Sequence, residues 1–481
     1  MKSVFPLFVI CFSVLVVDAY SQNVGVGTTS PTERLHVNGN IRTDTAKANV
    51  LKITPNAGDG KILTSDANGN ASWQTKTLAD GNGSVGYGTW GDCATNGAIG
   101  GFQPVSEQGL KSSSSYGKAI SISGDFAVVG YSVDDIGANT NQGSAFIYHF
   151  DGTKWTQVQK ITDPGGAASD AFGASVAMSG NLLLVGAPND NIVNTDQGSV
   201  CVFEYNGTNW VFMQRLIDAT GAASDHFGAS VAVSPAYAVV GIPDDDIGAN
   251  ADQGSVIVFE FNGSTWALDQ KLSESLGSAQ DAFGTSVSVY NNRLIIGIPE
   301  DDVNGTDRGS ANVYLKIVNW TSEIKLVHPD AAWTNFGISV SMYGNLVIVG
   351  SPDFINRGGA YVYQFTGFTW TLSQRIENTE GHSLDFFGES VCMSGDYLII
   401  GAKYADRGDA DVDMNSGTAF IYVRVGSGWS LLQKAQDPTS FLSNGENFGI
   451  RVAIDGVAKR FLVSATNFAG GTGKVVFGKI N

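Results

Sequence analysis

From Tyr116 onward, apolar and polar positions follow a unit that recurs about every 55 residues. An aromatic-glycine pair marks each unit: Tyr116-Gly117, Phe172-Gly173, Phe227-Gly228, Phe283-Gly284, Phe336-Gly337, Phe387-Gly388 and Phe448-Gly449. In the unit that opens at Phe172, FGASVAMS alternates apolar with small or polar residues, the period of a strand with one buried face. Ser179-Gly180-Asn181 is a tight turn, and LLLVGAP is a continuous apolar run, predicting a strand buried on both faces. The acidic loop NDNIVNTDQ follows, and GSVCVFEY alternates again. Asn206-Gly207 is a hairpin signal, WVFMQRLI is a fourth strand, and DATGAASDH leads to the next Phe-Gly. Four antiparallel strands per unit, repeated with no helical period, predict an all-β fold: a β-propeller of four-stranded antiparallel blades.

Six units are complete, and the seventh, from Phe448, has three strands before Asn481. Its fourth strand is expected from the segment before Tyr116. Counting back from Tyr116 by the usual spacing lands on Gln103, with Val105 in the place of Ile161, Glu107 in that of Asp163 and Ile99 in the slot held elsewhere by Trp. Ile99 to Glu107 is therefore expected to complete a seventh blade, which removes an unpaired edge from the ring.

The Trp slot opens the fourth strand and holds Trp155, Trp210, Trp266, Trp320, Trp370 and Trp429. Gln follows four residues later in all but the fourth of these (Gln159, Gln214, Gln270, Gln374, Gln433). Recurrence in six of the seven blades marks the Trp, like Phe172, Gly173, Phe227 and Gly228, as structural packing residues, not a stacking platform for a ligand. Asp170, Asp225, Asp281 and Asp385 each lie two residues before the Phe of Phe-Gly and are expected to fix the crossing turn through a hydrogen bond to the backbone.

Upstream of the repeats the pattern changes. Lys2, the apolar run from Val4 to Val17 and the small residues Ala19 and Ser21 read as a signal peptide over 1–21, cleaved before Gln22. Residues 22–73 form a separate N-terminal segment, 74–98 a Gly-rich polar linker, and 99–481 the propeller. No other run is apolar enough to span a bilayer, so the mature chain is expected to be secreted or held at the cell surface. Of the cysteines, Cys93, Cys201 and Cys392 remain after cleavage, at spacings that suggest neither a disulfide framework nor a zinc site. The two in strands, Cys201 and Cys392, are expected as buried thiols.

Composition fits a propeller. Gly accounts for 60 of 481 residues, and only 15% of residues are charged, because turns consume glycine and sandwiched blades consume apolar residues. The net charge of −18 argues against nucleic acid as a partner, since phosphate binding needs clustered Lys and Arg.

These units resemble FG-GAP repeats, the propeller repeats of integrin alpha chains. The match is carried by Phe172-Gly173 with Gly186-Ala187-Pro188, Phe227-Gly228 with Gly241-Ile242-Pro243, Phe283-Gly284 with Gly297-Ile298-Pro299, and Phe336-Gly337 with Gly350-Ser351-Pro352. The resemblance implies a seven-bladed extracellular platform for adhesion or ligand binding. Many members carry a DxDxDG calcium loop between the two motifs. Here that place holds short turns such as Ser179-Gly180-Asn181 and Tyr343-Gly344-Asn345, which cannot supply the ~6–8 oxygens of a calcium site. The segment NVGVGTTSPTERLHVNGNIR, with GKILTSDANGNASW, resembles N-terminal segments of bacterial tail-fibre-like surface proteins, which implies a homotrimer; an exposed spacer is the alternative.

Chemistry concentrates in the loops between the second and third strands. They hold Asp134 and Asp135; Asp190; Asp244, Asp245 and Asp246; Glu300, Asp301 and Asp302; and Asp353. Topology puts them on one face of the disc, as a cation-assisted ligand face or as solvated turn residues. The longest loop carries carboxylates on alternate residues, Asp409, Asp411 and Asp413, with Asn415, a weak pattern for calcium that lacks the Gly and Glu of an EF-hand. It also contains Arg407-Gly408-Asp409, a tripeptide that chance supplies readily. No cofactor is otherwise expected. None of the five His residues has metal-ligand spacing, and no nucleophile elbow or phosphate loop is present, so an enzyme is not expected. The reading is an exported module binding a protein or glycan ligand. The alternatives are the structural head of a surface fibre and a propeller-based polysaccharide hydrolase or lyase.

Overall fold

The computed structural model describes residues 115–480, apart from 304, 330–334, 353–356, 379–380, 382–383, 406–415, 438–446 and 467–472, together with short strands at 24–26, 35–37, 61–65, 71–75 and 103–105. Two compact units are present, Met1–Gly83 and Ser84–Asn481. In the first, Val24–Val26 runs parallel to Leu35–Val37, and Lys61–Ser65 pairs antiparallel with Ala71–Thr75. The segment 1–21 read as a signal peptide, Cys93, Asp353, the Asp409, Asp411, Asp413 and Asn415 loop and its Arg-Gly-Asp lie outside the described residues.

The second unit is a propeller of seven four-stranded antiparallel sheets. In the first blade the strands are Ile120–Ser123, Phe126–Tyr131, Ser144–Phe150 and Trp155–Ile161. In the second they are Ser175–Ser179, Leu182–Ala187, Ser199–Tyr205 and Trp210–Leu216. The seventh sheet consists of Phe448–Asp455, Arg460–Ala465, Lys474–Lys479 and, beside the last, Gln103–Val105. Phe477 stands opposite Gln103 and Val475 opposite Val105, the register that Val202–Gln214 and Val200–Leu216 take in the second blade. No helix among the described residues is long and apolar enough to cross a membrane.

The core is a ring of layers between blades. Val128, Ile147 and Ile161 of the first blade pack on Phe172, Leu183, Val185 and Trp210 of the second. An equivalent layer joins the seventh blade to the first, through Leu462, Val475 and Phe477 against Tyr116, Val129 and Trp155. The Phe of each Phe-Gly is fully buried in such a layer, and the six Trp are buried beside it. Cys201 is buried as expected, whereas Cys392 is only partly so; both are free thiols.

The Phe-Gly pair is where the chain crosses between blades. The Phe172 N–H donates to Gln142 O of the first blade at 2.8 Å, and the Gly173 N–H donates to Gly186 O of its own blade at 2.9 Å. A second link joins neighbouring outer strands. Gln159 donates to the Trp210 carbonyl at 2.8 Å and accepts from the Trp210 N–H at 2.9 Å. Gln214 clasps Trp266, Gln270 clasps Trp320 and Gln374 clasps Trp429 in the same way. Gln103 clasps Trp155, with both bonds at 2.7 Å. A side-chain amide thus satisfies the backbone of an outer strand that has no fifth neighbour.

A cluster of three acids and one base at the blade seams

The loops between second and third strands and the blade-to-blade crossings share one end of the propeller, and each loop sorts its acids by position. The central acid is buried. Asp190 accepts from Ser199 Oγ at 2.6 Å and pairs with Arg215 at 2.9 Å. Asp245 accepts from Ser255 Oγ and pairs with Lys271 at 2.6 Å. Asp301 accepts from Ser310 Oγ and pairs with Lys325 at 2.5 Å. In the first blade, Asp134 accepts from Ser144 Oγ at 2.5 Å and pairs with Lys160 at 2.6 Å, in a more open setting.

The following residue caps the loop. Asp135 accepts from the Asn141 N–H at 2.9 Å, Asp246 from Asp252 at 3.0 Å and Asp302 from Asp307 at 3.1 Å. These three remain exposed. The preceding residue points outward: Asp244 and Glu300 stand here, and His226 Nδ1 lies 2.6 Å from Asp244 Oδ2. The acids expected as a single ligand face are therefore divided between structure and surface.

The base of each pair reaches back across the seam. Arg215 also binds Asp163, at the end of the first blade. Lys271 binds Asp218 at 2.9 Å, and Lys325 binds Glu274 at 2.7 Å. The acid two residues before Phe-Gly completes each group. Asp170, Asp225 and Asp281 are buried and accept from the N–H of Ala167, Ala222 and Ser278 respectively, the turn-fixing bond expected from the sequence. Three consecutive seams thus hold three carboxylates and one cation each. Burial, reinforced by the other two acids, pushes the Asp170 and Asp281 carboxyls up to about 6, and Asp225 in the same direction.

This surplus of acid makes stability depend on pH. The folded-state value of Asp170 lies above its unfolded one, so its carboxyl carries no penalty below about pH 4 and the full penalty above about pH 6. Asp170→Asn keeps an acceptor for the Ala167 N–H and removes the charge. Denaturation at pH 4.5 and 7.5 should show the variant gaining on wild type by on the order of 2 kcal/mol at the higher pH. An identical pH slope for both proteins would refute the assignment.

The bases escaped the sequence analysis, although their signal is plain: each follows the clasp position directly, as Gln159-Lys160, Gln214-Arg215, Gln270-Lys271 and Ile324-Lys325. A second recurrence, Asn141-Gln142-Gly143, Asp196-Gln197-Gly198 and Asp252-Gln253-Gly254, was equally visible. Its glutamines sew each loop to the crossing behind it: Gln197 Nε2 donates to Asp218 O at 2.7 Å and Gln253 Nε2 to Glu274 O at 2.6 Å.

Compared with known proteins, the chain is matched six times by the family model described as FG-GAP repeat, over residues 110–148, 155–203, 210–259, 266–314, 320–363 and 370–422. The matches together cover more than half of the chain, and all but the first begin at a Trp of a fourth strand and run into the next blade, spanning one seam. No curated protein matches the chain.

Proposed function

The chain belongs to the FG-GAP repeat family, and from that premise we propose that it is an exported, non-catalytic binding or adhesion module that presents its loop face to a basic protein ligand. The observation that carries this reading is the sorting of the loop acids. Ion pairs to the buried central acids hold three of these loops from beneath, and glutamine bonds hold two of the three, so the outward residues are presented on a rigid base. Those residues do not repeat: Asn189, Asp244 and Glu300 occupy one equivalent position, and in the first blade Val133 takes it and packs against the core instead. A strand framework that repeats, beneath loop tips that vary, is how a propeller gains specificity without altering its fold. Between the third and fourth blades, Glu300 lies close enough to Asp307 and Asp244 for their charges to raise its carboxyl, after the larger effect of desolvation. Together with a net charge of −18, this favours a cationic surface as partner. Export is supported by Lys2 and the apolar run that follows it.

The test is surface plasmon resonance of the full-length chain against a panel of basic proteins, neutral proteins and glycans. Saturable binding to a basic protein should weaken about tenfold in the variant combining Asp244→Asn, Glu300→Gln and Asp307→Asn, and should weaken further as salt is raised. A ligand indifferent to both changes would place the binding surface elsewhere.

A further inference from the structure

The three acid-rich seams are not equivalent. Between the third and fourth blades, Glu274, Asp281 and Asp301 each offer an oxygen within 4.8 Å of the others, the one such group of His, Cys, Asp or Glu among the described residues. Lys325 is the cation there, 2.7 Å from Glu274 Oε1 and 2.5 Å from Asp301 Oδ2. One ammonium against three carboxylates leaves the site short of positive charge.

Two further buried oxygens, one on Glu274 and one on a residue paired across the strands with Lys325, have nothing to bind. Glu274 Oε2 is buried without a hydrogen-bond partner, and so is Oδ1 of Asn312, a residue only 4% exposed. Asn312 stands directly opposite Lys325 in the pairing of third and fourth strands, so its amide lies on the same face of the blade as the ammonium. An orphaned buried amide oxygen has a cost, and a cation would remove it. Neighbouring seams lack this oxygen: Ile257 stands opposite Lys271, and Cys201 opposite Arg215.

We propose that this seam is a calcium site whose protein ligands are Glu274, Asp281, Asp301 and Asn312. The donors are carboxylate and amide oxygens, the set a hard divalent cation selects, and water completes the ~6–8 positions calcium takes. Lys325 holds the place in the metal-free protein, and with 30% of its side chain exposed it has a route to solvent when the ion enters. The site is at the opposite end of the blade from the short first turns that lack a calcium loop. It does not rest on the reading of the ligand face.

The test uses the full-length chain, freed of metal with EDTA, at pH 7.5. Terbium luminescence excited through tyrosine reports occupancy, with Tyr314 beside Asn312 on the same strand face as sensitiser. Wild type should give one saturable signal that calcium displaces. Asn312→Ile copies the neighbouring blade and should fold normally, melting in EDTA like wild type. Its calcium affinity should fall at least tenfold, as should that of Asp281→Asn. Lys325→Gln should bind more tightly, because a competing cation is gone. Asp225→Asn, in the neighbouring seam, should bind as wild type does. No saturable signal from folded wild type, unchanged affinity in Asn312→Ile, or an equal loss in Asp225→Asn would each overturn the proposal.

Discussion

Arg215→Met should destabilise the protein by about 3–5 kcal/mol, the cost of leaving buried charge without its partner. The guanidinium is shared by Asp163, whose side chain is wholly buried, and Asp190, at 6% exposure. Methionine fills much the same volume, so the loss reports charge and not a cavity. The comparison is Lys160→Met, where the base serves Asp134 from a side chain 39% exposed and the loss should stay under about 1 kcal/mol. Urea denaturation of both variants decides the matter. Lowering the pH should restore part of the Arg215→Met loss, because burial already raises the Asp190 carboxyl, which then takes up a proton more readily. Equal, small losses in the two variants would mean that the seam clusters are solvated and contribute little.

Gly173→Ala should cost about 3–4 kcal/mol by the same assay. Two penalties add. The residue sits at φ +92°, in the left-handed region, where a side chain costs roughly 1–2 kcal/mol. Its Cβ would also lie 2.3 Å from the Ser144 carbonyl oxygen, backbone of the preceding blade that cannot yield without moving a strand, and such overpacking costs roughly 1–3 kcal/mol. Gly207 separates the two effects. It has φ +94° but open space around its Cβ, so Gly207→Ala should cost only the backbone penalty, about 1–2 kcal/mol. If both alanine variants lose the same amount, the close approach of blades at Phe-Gly is not what requires glycine there.

The link between Phe-Gly and Gly-Ala-Pro follows from that close approach. A Cβ on Gly186 would lie 2.2 Å from the Gly228 carbonyl oxygen of the next blade, so both glycines exist to let two backbones meet. Glycine at recurring positions was legible as punctuation. That two such glycines face each other across a seam was not.

Strands, turns and the number of repeats were written in the sequence, because alternation with period two and turn residues act within a few positions of one another. Even the position of Gln103 could be counted, since each blade keeps one spacing from clasp to crossing. The sequence does not reveal the bulge between third and fourth strands, where the pairing shifts between Val202 and Phe203 and leaves Met213 unpaired. That depends on how an outer strand bends, not on residue type.

The acids divide along the same line. By itself, the sequence of Asp244, Asp245 and Asp246 is one acidic turn, and nothing local distinguishes the buried middle residue from its more open neighbours. The base that neutralises Asp190 lies 25 residues downstream of it, and the same base lies 52 residues beyond Asp163. Local pattern thus determined that this chain is a ring of strands with an acidic end. Only the stacking of blades decided which carboxylates are enclosed, because Coulomb attraction and desolvation depend on distance in space and the seam brings together groups from two repeats.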